Sequence, residues 1–398
     1  VARADQARVV IVGAGPAGLL LSHLLALAEI ESTVLECRSR DQIETTVRAG
    51  ILEADTVRLL TETGASTRVL RDGARHDGIE LRFNGEGHRV DFMGLTGHGV
   101  WLYPQHEVLK DLLSTRLEQG QDIRFGVTVT AVHDGDRPQV RATDTDGSEL
   151  RLECDFVVGA DGSHSAVRKA VTGSATSGHF REYPFAWFGI LCEAPPSAAE
   201  LIYSNSEHGF ALISQRSPTV QRMYLQCDPE LDPEAMSDDL VWEELQRRVA
   251  PHPLSTGPIF QRDVLRFRSF VASSLHRGHV ALVGDAAHTV PPTGAKGMNL
   301  AVADVLVLAR ALRALLLDGN ATAINRYEQD VLPRIWKAQH FSWWMTQMLH
   351  RTPDASEFDR LRQHGELSSV VESEAGRRYL AEAYTGWPRP TDEALAVV

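Results

Sequence analysis

The chain has 398 residues, 43% of them hydrophobic and 23% charged, and a formal net charge of −13. That length exceeds what one compact core usually supports, so two domains or one with an inserted lobe are expected, and the composition excludes a disordered chain. The acidic balance argues against nucleic-acid and anionic-membrane partners and favours small ligands, although a local basic pocket for an anion stays compatible with it.

Four cysteines, Cys37, Cys154, Cys192 and Cys227, show neither C-x-x-C spacing nor a neighbouring histidine pair. They read as reduced or buried thiols, with no metal site and no disulfide frame. Without a leader-like stretch or an apolar run of membrane-spanning length, a cytoplasmic protein with no membrane partner is expected.

In chain order, "ARVVIVGAGPAGLLLSHLLALAEIESTVLECRS" reads as an apolar strand, a glycine turn, an apolar-striped helix and a second strand ending near Glu36. This is one βαβ unit. "RVDFMGLTG", "DIRFGVTVTAVHDG", "QVRATDTDGSELRLECDFVVGADG" and the stretch from Ala194 to Cys227 alternate between apolar runs and Gly, Asp or Pro turns, which signals strands and hairpins. Beyond Met298 the periodicity is helical. The expected architecture is α/β: a Rossmann-like dinucleotide domain, an inserted, mostly antiparallel sheet and a helical C-terminal region. Its parts are residues 1–180, with a short sheet segment near 76–97, then 181–267 for the inserted sheet, 268–350 for the second part of the first domain, and 351–398 for the tail.

Gly13-Ala14-Gly15-Pro16-Ala17-Gly18 follows the first strand directly and opens the helix. Glycines there permit a tight turn and close backbone approach, so the free N–H groups and positive dipole end of the helix can meet a pyrophosphate. Glu36, at the end of the next strand, is placed to accept from ribose hydroxyls. Two further strand-to-loop turns, Asp161-Gly162 and Gly284-Asp285, are common features singly, but they gain meaning beside the first motif.

All three turns resemble the fingerprints of single-component, FAD-dependent aromatic hydroxylases. "RAGILE", "LYPQHEVLKDLL", "ELIYSNSEHGFALISQRS", "GDAAHTVPPTGAKGMNLA", "RIWKAQHFSWWMTQMLHR" and "SEAGRRYLAEAYTGWP" resemble, across nearly the whole chain, the 4-hydroxybenzoate 3-monooxygenase family within that class. The resemblance implies a glutathione-reductase-like FAD fold. It also implies a reaction in which NADPH or NADH reduces FAD, O2 forms a flavin hydroperoxide, and the ring carbon ortho to the phenol of 4-hydroxybenzoate is hydroxylated to give 3,4-dihydroxybenzoate. A homodimer is implied as well.

Residue by residue, the resemblance assigns Gly13, Gly15, Ala17, Gly18, Glu36, Arg48, Ala49, Gln105, Asp161, Asp285, Met298 and Asn299 to FAD. It assigns Ser214, Gln215, Arg216 and Tyr224 to the substrate carboxylate, and Tyr203 and Tyr384 to a proton relay at the substrate phenol. The Pro292 carbonyl would face that phenol, and His76 would lie at the outer end of the relay. An arginine suits a carboxylate because its fork binds both oxygens. Two tyrosines suit a relay because each hydroxyl both donates and accepts. Lys296 adds charge near the flavin or lies in solvent, and the stretch Trp343-Trp344-Met345 reads as interface or core.

With one βαβ motif claimed by the flavin, the resemblance places the nicotinamide donor in a surface cleft with Arg38, His164, Arg168 and Arg268. Cys37, Gln42, Glu44 and Thr46 stand where many NADPH-using relatives carry basic or aromatic residues. That disfavours a 2′-phosphate, although Arg38 and Arg40 pull the other way, so NADH or dual use is expected. The alternatives are the same chemistry on another benzoate, such as 4-aminobenzoate or a dihydroxybenzoate, a non-catalytic FAD-binding protein, and, more remotely, a NAD-dependent dehydrogenase.

Overall fold

Two large sheets organise the computed structural model, which describes residues 5–46 and 50–387. The first has a parallel core in the order Val280–Leu282, Glu149–Gly159, Asp5–Val12, Ser32–Glu36, Asp122–Phe125. Strands buried on both faces need apolar residues at successive positions, and Val9, Val10 and Ile11 have no exposed surface. The helix Pro16–Leu27 and the long helix Gly297–Asp318 pack against this core.

Register sets where the loops of this sheet emerge. Val12 lies opposite both Leu35 and Gly159, and Gly159 opposite Leu282. The chain therefore leaves all four strands at one level, and the turns at Gly13, Asp161 and Gly284, together with Glu36, emerge on one edge. In parallel α/β sheets, ligands bind outside that carboxyl edge.

The second sheet has eight strands, in the order His288–Thr289, Ile259–Ala272, Gly178–Glu193, Val220–Cys227, Gly209–Ser217, Leu201–Ser206, Gly78–Phe83, Glu86–Asp91. All of its pairings are antiparallel except Leu201–Ser206 with Gly78–Phe83. One face packs under the helix Asp238–Val249 through Ile190, Ile213 and Met223. The other carries Tyr203, Leu212, Tyr224 and Trp187 against residues of Thr322–Leu349, Glu357–Glu372 and Glu374–Thr385. A short third sheet pairs Ile51–Glu53 and Ala74–His76 with Val100–Leu102.

Met345 is fully buried, the Trp344 indole donates to Glu366 at 2.6 Å, and Trp343 is partly exposed. That stretch is thus divided between core and surface. Among the described residues, no helix is long and apolar enough to cross a membrane and no cluster of His, Cys, Asp or Glu is arranged to hold a metal ion.

Candidate active site

At the carboxyl edge of the parallel sheet, each glycine of the first motif has its own reason. A Cβ on Gly13 would sit 2.3 Å from the carbonyl oxygen of Ala160, and its φ of +106° suits glycine alone. A Cβ on Gly18 would sit 2.0 Å from the Gly13 oxygen. Around Gly15 there is open space within 4 Å. Packing thus requires the first and third glycines, whereas the second leaves room for a ligand.

The helix opened by this turn has no side-chain cap, so its first N–H groups are available to a pyrophosphate. The buried Glu36 carboxylate accepts from Ala14 N at 2.9 Å through Oε2 and from Arg38 N and Nε at 3.0 and 3.1 Å through Oε1, which leaves a lone pair on Oε2 for a ribose hydroxyl. Asp161 accepts from Ala166 N and Val167 N through Oδ2, while its buried Oδ1 has no partner among the described residues. Burial pushes its carboxyl up. Asp285 is exposed, and a Cβ on Gly284 beside it would lie 3.3 Å from the Ala17 Cβ. An orphaned acceptor, an open glycine and an uncapped helix on one edge fit a dinucleotide.

The turn from Pro291 to Lys296 leads into a second helix whose N-terminus has no side-chain cap, Gly297–Asp318. The Pro292 carbonyl accepts from Ala295 N at 2.9 Å, which uses one of its two lone pairs. Met298 and Asn299 are buried, and the Asn299 side chain bonds Glu53 N and the carbonyls of Ile51 and Ala295. Asn299 therefore ties the turn to the third sheet and leaves its backbone for any ligand.

Lys296 departs from the solvent-exposed alternative. It is 2% exposed, pairs with Glu53 at 2.8 Å and donates to the Tyr384 carbonyl at 2.9 Å. Burial lowers the pKa of its ammonium and Glu53 opposes that shift. The pair thus holds the backbone of a proposed catalytic tyrosine. Removing one partner of a buried ion pair costs about 3 to 5 kcal/mol, so Glu53→Gln is expected to lower the urea midpoint accordingly. A loss below about 1 kcal/mol, the range of surface pairs, would remove this role.

On the second sheet, Leu212 lies opposite both Tyr203 and Tyr224, so the three share one face. Tyr203 Oη meets Tyr384 Oη at 2.7 Å, and both rings are buried. Burial raises both phenols well above their ordinary value, so both are neutral hydroxyls at neutral pH. Ser214, two residues beyond Leu212, lies on the same face and donates to the Arg222 carbonyl at 2.8 Å.

Pairing shifts between Gln215 and Ser217, which leaves Arg216 as the extra residue of a bulge. Bulges re-aim side chains beside active sites. Arg216 Nε is shielded and has no partner among the described residues, and burial lowers the pKa of the guanidinium. Gln215 instead meets His76 Nε2 at 3.1 Å. His76 is buried, its Nδ1 has no partner among the described residues, and burial pushes its pKa down.

Sequence reasoning does not single out Arg222. It is 6% exposed, binds both Asp263 oxygens at 2.6 and 2.7 Å, and lies 4.8 Å over the Tyr224 ring. Its position two residues before Tyr224 on a strand is the signal for a shared face. Gly189 makes room for this arrangement, since a Cβ there would lie 2.6 Å from Asp263 and 2.9 Å from Tyr224. Behind Tyr224, the Trp187 indole donates to His350 Nε2 at 2.6 Å, and burial pushes the His350 pKa down to about 3, so it stays neutral.

Of the residues expected in a nicotinamide cleft, His164 is exposed and Arg268 half-buried. Arg168 is buried and gives its N–H groups to the carbonyls of Ala286, Ala175, Ser163 and Asp285, so it braces the turn at Asp285. Its guanidinium lies 4.5 Å over the Phe270 ring. Arg38 is held by Glu36. Gln105 opens the helix Gln105–Glu118, half-buried. Arg48 and Ala49 lie outside the described residues.

Residues 6–342 match a family model described as an FAD binding domain. The chain is 42% identical over 387 residues to a p-hydroxybenzoate hydroxylase of Acinetobacter baylyi, covering 96% of each protein. It is 25% identical to a probable NADH-specific resorcinol 4-hydroxylase of Rhodococcus jostii, over 82% of this chain and 62% of that protein. Among solved structures, p-nitrophenol 4-monooxygenase of Pseudomonas putida superposes with a TM-score of 0.82 at 21% identity, over 97% of this chain and all of that one, which speaks to the fold.

Proposed function

The chain belongs to the family of FAD-binding aromatic hydroxylases, and from that premise we propose that it hydroxylates 4-hydroxybenzoate ortho to the phenol, giving 3,4-dihydroxybenzoate with NAD(P)H and O2. The observation that carries the substrate is the pairing of two unlike features on one sheet face. A buried tyrosine pair stands ready for a phenol, and a guanidinium whose shielded Nε has no partner among the described residues stands ready for a carboxylate. 4-Hydroxybenzoate carries these two groups at opposite ends of one ring.

FAD, when bound, supplies the two-electron chemistry with the donor and with dioxygen. In this reading, Gly13, Gly15, Ala17, Gly18, Glu36, Asp161 and Asp285 hold its dinucleotide part. Backbone N–H groups from Gly297 to Asn299, at an uncapped helix N-terminus, would favour negative charge on a ring bound there. Arg216 and Tyr224 would orient the substrate carboxylate, while Ser214, whose hydroxyl is given to the Arg222 carbonyl, fixes the strands beside them. Tyr203 takes the phenol proton and passes it to Tyr384 and outward to His76, so that the ring is attacked as an electron-rich phenolate. The burial of both tyrosines excludes water from the reacting end.

NADH is proposed as the better donor, or an equal one. The two cations near the expected 2′-phosphate are each engaged by a carboxylate, Arg38 by Glu36 at 3.1 Å and Arg40 by Glu44 at 2.6 Å. A homodimer in the cytoplasm completes the reading; the exposed Phe180, Trp336 and Trp343 around a cleft of about 370 Å³ supply apolar surface of the kind oligomers cover.

Anaerobic reduction of the yellow holoenzyme by NADH and NADPH in parallel, with and without 4-hydroxybenzoate, tests substrate and donor together. Substrate-stimulated reduction, with NADH at least as efficient as NADPH, is expected. Glu44→Gln, which frees Arg40, is expected to raise NADPH efficiency a few-fold, the size of an exposed charge effect of about 0.5 to 1 kcal/mol. A large NADPH preference in the parent would overturn the donor assignment. Aerobic turnover of 4-hydroxybenzoate to peroxide alone, with a ring-hydroxylated product formed only from 4-aminobenzoate or a dihydroxybenzoate, would overturn the substrate.

A further inference from the structure

A second polar cavity lies away from this site, between the hairpin tips near Asn84 and Glu207, the C-terminal end of the helix Asp238–Val249 and the helix Glu357–Glu372. Its volume is about 300 Å³, at the small end of ligand pockets, which run from roughly 300 to 1,000 Å³. It shares no residue with the tyrosine pair, the carboxylate clamp or the dinucleotide edge.

Five arginines line it, Arg82, Arg247, Arg248, Arg351 and Arg360, against a single lining carboxylate, Glu207. Carboxylates outside the lining hold four of these arginines. Glu80 pairs with Arg82 at 2.8 Å, Glu244 with both Arg247 and Arg248, and Glu357 lies 3.6 Å from Arg360. Five guanidiniums therefore stand against four carboxylates in a chain whose net charge is −13. His208 and His364 add two more groups that can carry positive charge.

The floor is buried and polar. Ser204, Asn205 and Gln363 are at most 7% exposed. Arg248 is 9% exposed and gives its Nη atoms to the carbonyls of Phe210 and Gln226 and to Glu244, while its Nε has no partner among the described residues. The exposed or half-buried guanidiniums of Arg247, Arg351 and Arg360 line the cavity as donors, and an oxyanion supplies acceptors for them. Arginines from four separate segments give forked donors that match compact, multiply charged oxygen groups. Among the described residues, no aromatic ring other than the histidines lines the cavity, which argues against a nucleotide base.

We propose that this cavity binds a compact oxyanion carrying at least two negative charges, of the phosphate or polycarboxylate type. The proposal does not depend on the identity of the aromatic substrate.

Calorimetric titration of the FAD-loaded protein with sodium phosphate and, separately, with citrate, at ionic strength held constant with NaCl, tests it. One saturable site is expected for at least one of them, and the anion that saturates identifies the source. Arg247→Ala and Arg360→Ala, on different helices and on exposed or half-buried positions, are each expected to weaken it by about tenfold, the size of one charge-assisted contact. Titration of 4-hydroxybenzoate into both variants should match the parent. An anion seated at the cofactor edge would survive both substitutions, so equal binding by parent and variants overturns the assignment. Failure of both anions to saturate overturns it too.

Discussion

Replacing Arg216 with alanine is expected to raise the dissociation constant of 4-hydroxybenzoate by about thirty-fold to several thousand-fold, the equivalent of roughly 2 to 5 kcal/mol for truncating one member of a buried charge pair. The guanidinium sits on the extra residue of a bulge, its Nε is shielded, and burial already lowers its pKa. Without a ligand, no carboxylate among the described residues pairs with this half-buried guanidinium, whose Nη1 donates to the Gln215 carbonyl at 3.2 Å. The same substitution should therefore leave the thermal midpoint of the substrate-free protein unchanged or raised. A merely structural arginine would lower that midpoint. Arg216→Lys should recover only part of the affinity, since an ammonium cannot span both carboxylate oxygens. Flavin fluorescence titration gives the affinities, and a change below about threefold would remove Arg216 from the substrate clamp.

The second large effect is on chemistry. Tyr203→Phe keeps the ring that packs with Phe210 and Tyr384 but deletes the hydroxyl that meets Tyr384 at 2.7 Å. Loss of a positioned proton acceptor costs about 10²- to 10⁴-fold in rate. Formation of 3,4-dihydroxybenzoate should fall by that factor, while substrate affinity and donor oxidation change far less. Dioxygen would then leave as hydrogen peroxide. The ratio of catechol formed to donor oxidised is the discriminating measurement. A ratio equal to that of the parent would show that the phenol proton leaves by another route.

Both effects rest on positions to which sequence and structure contribute unequally. The first glycine motif, Glu36 and the turns at Asp161 and Asp285 are legible because strand ends and tight turns impose local requirements on residue type. Gly13 and Gly18 show this directly, since any side chain would strike backbone. The proposed roles of Ser214, Arg216, Tyr203 and Tyr384 come only through family resemblance; a tyrosine or arginine on a strand, or a tyrosine on a helix, carries no local mark of function.

Burial and partnership across long sequence distances stay hidden in the sequence. Lys296 is compatible with a solvent lysine, yet Glu53, 243 residues away, holds it in the interior. Arg168 has the chemistry of a phosphate ligand, yet four carbonyls take four of its five donors. Gln215 lies between two proposed carboxylate ligands, but its amide is turned to His76.

The sequence by itself determined the α/β architecture, the dinucleotide turn and the helical tail, because hydrophobic period and glycine placement act within a few residues of chain. Only the tertiary structure decided that three distant turns share one edge, through the parallel register of Val12, Gly159 and Leu282. It alone paired Tyr203 with Tyr384 across 181 residues and left the Arg216 Nε without a partner among the described residues. The reason is physical: desolvation and hydrogen-bond satisfaction depend on which groups the fold brings together, and separation along the chain does not set that distance.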